Sequence, residues 1–178
     1  MERIKGFFKS DFFKSFVSYV LILLFVVVLR VFFVDPVRVD GPSMDFTLAN
    51  GEILILNKVA YIRHDIKRFD IVVVKHDNHL IVKRVIGLPG EVIEYRNNRL
   101  YIDGQMIDDP YPSSETNDFS IEDIGHTKIP GDSYFVMGDN RAVSLDSRSS
   151  SVGAVKKDLI VGKANFVIYP LNKFGIVK

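Results

Sequence analysis

The chain contains no cysteine and has almost no net charge, and each of these deficits excludes a class of function. Its 178 residues include 23 Lys and Arg against 22 Asp and Glu, a formal net charge of +1. Without cysteine the chain has no disulfides, no thiolate nucleophile and no cysteine-ligated metal. Proteins that bind polyanions usually carry a basic excess, which is missing here. We therefore expect no nucleic-acid partner.

Histidine is also scarce, and the four histidines do not predict a metal site. His76 and His79 are three residues apart, but no third ligand follows at a useful spacing. Both lie in a stretch that reads as a turn, where side chains need not converge, so solvated loop histidines are the better interpretation. The sequence also lacks a glycine-rich phosphate-binding loop. We expect neither a metal nor any other cofactor.

What the chain does have is one long apolar run over residues 16–34, which contains a single charge, Arg30. A spanning helix needs roughly 20 mostly apolar residues, and no polar stripe typical of a buried soluble helix interrupts the run. A cleavable signal peptide is the alternative, but its apolar region would be shorter and followed by small residues, whereas this run ends in Asp35-Pro36. The sequence predicts a transmembrane helix over 16–34, with Arg30 extending its charged head to the interface.

Basic residues before the run predict its orientation. Residues 1–15 are net basic, with Arg3, Lys5, Lys9 and Lys14 against Glu2 and Asp11. The positive-inside rule therefore predicts a cytoplasmic N-terminus over 1–15 and an extracytoplasmic domain over 35–178. We expect a single-pass protein of the cell membrane.

The exported part is typical of a mainly β fold. Short runs rich in Val, Ile, Tyr and Phe alternate with turn signals, at residues 37–40, 52–57, 70–75, 80–86, 91–95, 99–102, 133–137 and 159–169. The polar segment 108–123 contains two prolines and few aliphatic residues, and it is interpreted as a surface loop. The sequence predicts an antiparallel β-sheet domain preceded by one transmembrane helix.

Serine and lysine are the remaining candidates for covalent chemistry. Ser43 lies in a Gly-Pro bend, Gly41-Pro42-Ser43-Met44, although a serine in a bend is most often only a turn former. Lys83 shares one face of its strand with Ile81 and Val85, by the period-two alternation of strand side chains. Apolar neighbours lower the pKa of a lysine and make it a general base near neutral pH. The alternative is a solvated lysine on an edge strand.

A third segment, residues 138–148, is dense in small polar and charged groups directly after an apolar strand. Such a loop can supply a hydroxyl and paired charges that orient a catalytic group, although a solvated Asp- and Ser-rich loop is the alternative. The order of these three segments and the apolar anchor along the chain resembles that of the bacterial type I signal peptidases, in the compact single-anchor form of Gram-positive bacteria. The motifs are the apolar anchor, Ser43-Met44, Lys83-Arg84-Val85-Ile86-Gly87-Leu88-Pro89-Gly90 and Gly138-Asp139-Asn140-Arg141-x-x-Ser144-x-Asp146-Ser147-Arg148.

The resemblance implies roles for individual residues. Ser43 matches the nucleophile of a Ser–Lys dyad and Lys83 its general base. Ser144 matches the serine whose hydroxyl hydrogen-bonds and positions that lysine. Asp139 matches an acid that pairs with Arg84, and two further charged residues, Asp146 and Arg148, match residues that hold the loop near the site.

Two positions depart from the family pattern. Phe46 stands where the family usually has proline, so the turn after the nucleophile is either less rigid or held by packing of the Phe46 ring. Gly41 stands where some members place a hydroxyl that helps to bind the oxyanion, so the second oxyanion donor is unidentified.

The implied activity is removal of signal peptides from exported preproteins at the membrane, with cleavage after small residues at positions −1 and −3. The substrate would bind as an added strand, and Val39, Met44 and Ile81 are candidate pocket walls by proximity and apolar character. Membrane lipid and the secretion translocon are the other expected partners. The alternatives are a self-cleaving repressor, an inactive accessory β domain and a peptidase dedicated to a few substrates such as pilus components.

Overall fold

A computed structural model of the chain describes residues 11–111 and 113–177. Most of the apolar run lies in one helix, α1 (Asp11–Phe32), none of whose residues is buried by the rest of the protein. The helix begins five residues before the predicted span of 16–34 and ends two residues before its end, because Val34 already belongs to the first strand. With a rise of about 1.5 Å per residue, α1 is about 33 Å long, which matches the roughly 30 Å core of a bilayer. Length and composition both fit a membrane span. Residues 1–10, which hold most of the predicted basic N-terminus, lie outside the described residues.

The rest of the described chain is mainly β, and all the strand pairings are antiparallel, which confirms the predicted fold class. Three short 3₁₀ turns lie at Ile121–Ile124, Lys157–Leu159 and Leu171–Lys173. The strands are β1 (Val34–Arg38), β2 (Ile53–Asn57), β3 (Ile71–His76), β4 (His79–Gly87), β5 (Ile93–Arg96), β6 (Arg99–Ile102), β7 (Gln105–Ile107), β8 (Phe119–Ser120), β9 (Ser133–Met137), β10 (Val155–Lys156), β11 (Ile160–Tyr169) and β12 (Gly175–Ile176).

The strands form two sheets. The larger has the order β1-β2-β11-β3-β4-β9-β10, with β12 paired to β11, and the smaller has the order β7-β6-β5-β8. In the larger sheet β4 lies between β3 and β9, so Lys83 belongs to an interior strand. This position excludes the alternative of a solvated lysine on an edge strand.

Both faces of β4 are covered by core. On one face Val82 packs in a cluster with Leu48 and Leu54. On the other face Val85 packs with Val72 and Val136. A third cluster, which includes Ile86 and Phe135 of the large sheet and Ile93 and Leu100 of the small sheet, joins the two sheets. The C-terminal half of β4 is therefore buried on both sides, which brings its polar residues into a dry environment.

The sequence predicts a surface loop over the whole of 108–123, but the structure shows that part of this segment is ordered against the core. Its end forms β8 and the 3₁₀ turn Ile121–Ile124, and Ile121 is fully buried between the sheets. Thr116 is also buried, and its hydroxyl accepts a hydrogen bond from Arg141. The few apolar residues of this polar segment are enough to hold it against the core.

Polar contacts join α1 to the β domain. Phe33 alone separates α1 from β1, and its carbonyl accepts a 2.9 Å hydrogen bond from the Lys58 amide. The Lys58 ammonium donates to the Arg30 and Val31 carbonyls at the helix end and pairs with Asp35 at 3.2 Å. A cation here satisfies free carbonyls and complements the negative end of the helix dipole.

Candidate active site

Ser43 and Lys83 are in direct contact, although forty residues separate them in the sequence. Ser43 lies in the turn that follows β1, and Lys83 lies near the middle of β4. The Lys83 ammonium donates a 2.7 Å hydrogen bond to Ser43 Oγ. A nucleophile and a base within hydrogen-bond reach are the geometric requirement for base-assisted attack.

The surroundings of Lys83 favour its neutral form. Only 3% of the residue is exposed, and this burial lowers its pKa from 10.5 to about 8. The negative charges of Asp146 and Asp139 act in the opposite direction, and Arg148 adds to the decrease. Loss of hydration outweighs the nearby carboxylates, so a substantial fraction of Lys83 is neutral near pH 8.

The loop 138–148 packs directly on the turn at residues 41–48, which contains the candidate nucleophile Ser43 and is called the nucleophile turn here. The Asn140 amide donates a 3.0 Å hydrogen bond to the Ser43 carbonyl. A Cβ on Gly138 would collide with this carbonyl oxygen and with the Ser144 hydroxyl. Glycine is therefore required at position 138, because the loop 138–148 and the turn that contains Ser43 are in contact there.

Ser144 lies beside this contact, but its hydroxyl does not bond as the resemblance implies. Among the described residues Ser144 Oγ accepts a 3.2 Å hydrogen bond from the Gly138 amide and makes none with Lys83. The Lys83 ammonium is directed to Ser43 instead. Positioning of Lys83 by Ser144 therefore stays a prediction.

Arg84 and Asp139 form a buried ion pair on the opposite face of β4. Two guanidinium nitrogens of Arg84 contact the two carboxylate oxygens of Asp139 at 2.9 and 2.7 Å. Thr47, in the turn after Ser43, donates its hydroxyl proton to Asp139 at 2.5 Å and accepts from Arg84 at 3.2 Å. The Tyr111 ring covers the guanidinium at 3.9 Å. The nucleophile turn, β4 and the loop 138–148 thus meet at one ion pair.

Asp146 and Arg148 stabilise the far end of the loop. The Asp146 carboxylate pairs with Arg148 at 2.9 Å and accepts a 3.1 Å hydrogen bond from the Gly138 amide. Arg148 also donates to the Arg141 carbonyl at 2.6 Å. Both residues therefore hold the loop in shape without touching Ser43.

Arg141 is a structural residue of the site to which the sequence analysis assigned no role. It is 3% exposed and pairs with Asp109 at 2.9 Å. It also donates to the Tyr95 hydroxyl at 2.8 Å and to Thr116 at 3.1 Å. Its inclusion in the Gly-Asp-Asn-Arg motif was the available signal, but its partners come from the small sheet and from segment 108–123. Arg141 fixes the loop to the small sheet.

The three candidate pocket walls lie in different environments. Val39 and Met44 are buried in one core cluster, with 2% and 0% exposure. Ile81 is partly exposed and packs beside a different cluster, on the Lys83 face of β4. Of the three, only Ile81 presents surface to a bound chain in this arrangement. Their role in substrate binding stays a prediction.

The two departures from the family pattern have clear structural outcomes. Phe46 has a φ of 85° and is 62% exposed, so its ring does not hold the turn by packing. The turn is held instead by the Thr47 and Leu48 amides, which both donate to the Met44 carbonyl. The Gly41 amide donates to Asn50 Oδ1 at 3.1 Å and is already engaged.

Within residues 11–111 and 113–177 no group of three His, Asp or Glu side chains could hold a metal ion.

Comparisons with known proteins agree on one family. The family model described as "Signal peptidase, peptidase S26" matches residues 12–169. A signal peptidase I from Bacillus caldolyticus is 44% identical over 162 residues, covering 84% of this chain and 87% of the relative. Signal peptidase I S from Bacillus subtilis is 39% identical over 161 residues, covering 86% and 87%. The crystal structure of a signal peptidase I from Enterococcus faecalis matches with a TM-score of 0.51 and 34% identity, covering 56% of this chain and 97% of that one. The chain therefore belongs to the signal peptidase family, peptidase S26.

Proposed function

We propose that this chain is a membrane-anchored serine endopeptidase that removes signal peptides from exported preproteins, with Ser43 as nucleophile and Lys83 as general base. The observation that carries the proposal is the 2.7 Å contact between Ser43 Oγ and a buried Lys83. The accessory β domain without activity predicts no such pair. Membership of the signal peptidase family supports the substrate class.

Acylation begins with the neutral amine of Lys83. The amine accepts the Ser43 hydroxyl proton while Oγ attacks the carbonyl carbon of the scissile bond. The tetrahedral intermediate collapses when the C–N bond breaks, and the Lys83 ammonium returns the proton to the leaving amine. The mature chain departs with a free amino terminus, and the signal peptide remains as an ester on Ser43.

Deacylation repeats the same proton transfers with water. Lys83 accepts a proton from the water molecule that attacks the ester, and it then protonates Ser43 Oγ as the C–O bond breaks. The signal peptide leaves with a new carboxylate. One base serves both half-reactions because its pKa, about 8, lies near the working range.

The Ser43 backbone amide is available to bind the oxyanion, since it donates no hydrogen bond within the described part of the chain. A donor at this position stabilises the negative charge that develops on the carbonyl oxygen. The preference for small residues at −1 and −3 is part of the proposal and is supported by membership of the signal peptidase family.

The anchor confines the enzyme to the surface where its substrates emerge, which raises their local concentration. We propose that residues 1–15 are cytoplasmic, that α1 crosses the cell membrane, and that residues 35–178 are extracytoplasmic. The partners are preproteins at the secretion translocon and the surrounding lipid. Neither metal nor nucleic acid takes part.

The test is cleavage of a preprotein by the full-length protein in membranes. Ser43→Ala and Lys83→Ala should each reduce the rate by about a thousandfold or more. The first removes the nucleophile, and the second removes the base that accepts its proton. Lys75→Ala changes an exposed lysine on the adjacent strand and should retain full activity. Cleavage that persists in either active-site variant would show that another pair does the chemistry.

A further inference from the structure

A groove of about 500 Å³ opens beside the catalytic centre. One wall is formed by residues 115–119, and the other by residues 141–149 of the loop that follows β9. Ser144 is part of the lining. The proposed reaction uses none of the other side chains that face this space.

The groove begins next to the turn that contains Ser43. A Cβ on Gly138 would collide with both the Ser43 carbonyl oxygen and the Ser144 hydroxyl, so the Ser43 backbone and the Ser144 side chain, which lines the groove, are close neighbours. A polypeptide that crosses Ser43 and continues past Ser144 therefore enters the groove.

The lining is polar and carries unbalanced negative charge. Its two guanidinium groups are already paired, Arg148 with Asp146 and Arg141 with Asp109, each at 2.9 Å. Glu115 and Asp118 are exposed and have no cationic partner among the described residues.

The side of the site formed by the N-terminal half of β4 has a different character. Ile81 is partly exposed on the Lys83 face of the strand, and its neighbour Leu80, on the other face, is 49% exposed. A signal peptide is apolar through its centre and has small residues near the cut, which matches this side and not the polar groove. Burying apolar side chains against charged groups would remove the hydration of those charges without replacing it.

We propose that this groove binds the mature segment of the preprotein, the residues that follow the scissile bond, and that it favours a basic over an acidic side chain there. The inference rests on the proposed function, since it assigns the second half of the same substrate. Glu115 determines much of the preference because it is exposed and free to meet an incoming cation.

The experiment uses the full-length protein in detergent and peptides that share one signal sequence and one cleavage site. The peptides carry either Lys or Glu at positions +2 to +4. For the wild type, kcat/KM should be about three to ten times higher for the Lys peptide, as expected for one or two exposed charge pairs. Raising the salt concentration should reduce this ratio.

Glu115→Lys should abolish or reverse the preference, whereas Glu122→Lys, an exposed acid on the nearby 3₁₀ turn, should leave it unchanged. In peptides that carry the Lys or Glu on the signal side of the scissile bond instead, Glu115→Lys should have no effect on the ratio. An equal ratio in the wild type, or a ratio that survives Glu115→Lys, would overturn the groove assignment. A wild type that cleaves neither peptide would contradict the proposed function itself.

Discussion

The Asn140 amide donates a 3.0 Å hydrogen bond to the Ser43 carbonyl, which makes the loop 138–148 and the nucleophile turn one structural unit. Because Gly138 lies at the closest approach of these segments, Gly138→Ala should separate them and displace Ser43 from Lys83. Displacement by about 1 Å can cost about a hundredfold in rate. We expect a drop of that size in kcat for a signal-peptide substrate, with little change in KM. Gly131→Ala is the matched control, because a Cβ there meets no atom within 4 Å, and equal activity of the two variants would contradict the prediction.

The pH dependence of kcat/KM should report the titration of Lys83. The proposed mechanism requires the neutral amine, so the rate should increase with pH and level off above a midpoint near 8. An increase centred near the ordinary lysine pKa of about 10.4 would contradict the desolvated base.

The same shift makes the stability of the fold depend on pH. The folded pKa lies below the unfolded value, so the unfolded chain binds more protons than the folded chain between about pH 8 and 10.5. The contribution of Lys83 to stability therefore increases as the pH rises through this window. Lys83→Met should remove this contribution, which chemical unfolding of the wild type and the variant at pH 7.5 and 10 can measure.

Loss of one partner from the buried Arg84–Asp139 pair should destabilise the protein strongly. Asp139→Asn leaves the Arg84 charge, which is fully buried, without its counter-ion. Such a change typically costs about 3–5 kcal/mol. The partly exposed pair between Arg96 and Glu94 is the control, and Glu94→Gln should cost no more than about 1 kcal/mol. Urea unfolding in detergent measures the free energy of unfolding of both variants. Similar losses in the two variants would show that the buried pair contributes no more to stability than the control pair.

Substitutions at Phe46 should have opposite effects according to the backbone angle they allow. Its φ of 85° is outside the range of proline, which is fixed near −65°. Phe46→Pro restores the residue usual in the family, yet it should disrupt this turn and reduce activity by tenfold or more, about 1.4 kcal/mol. Phe46→Gly should raise the free energy of unfolding by about 1 kcal/mol, since glycine adopts this angle freely.

Phe46→Ala separates the two causes, because it removes the exposed ring but keeps the unfavourable angle. Its activity and stability should stay close to those of the wild type. If Phe46→Pro is fully active, the turn adopts another backbone conformation in solution.

The sequence predicted the parts of this protein that depend on local pattern. Alternation placed Lys83 on the same face of its strand as Val85, and the motif order identified Ser43 as its partner, which the structure places 2.7 Å away. The sequence could not show that β4 is an interior strand, because strand order depends on pairings between distant segments. The side-chain contacts of Arg141 and Thr47 were missed for the same reason, since the side chains that they bond lie 25 or more residues away. Segment 108–118 is rich in polar residues and therefore predicts a solvated loop, but two of them, Asp109 and Thr116, bond the buried Arg141.

The junction at the end of α1 has a further consequence. Lys58 binds the last carbonyls of the helix and the Asp35 carboxylate of β1, and only Phe33 lies between the two elements. When α1 spans a bilayer, as proposed, the single linking residue and these contacts keep the start of β1 at the membrane surface. The turn that contains Ser43 follows directly after β1, so the proposed cleavage takes place close to the lipid.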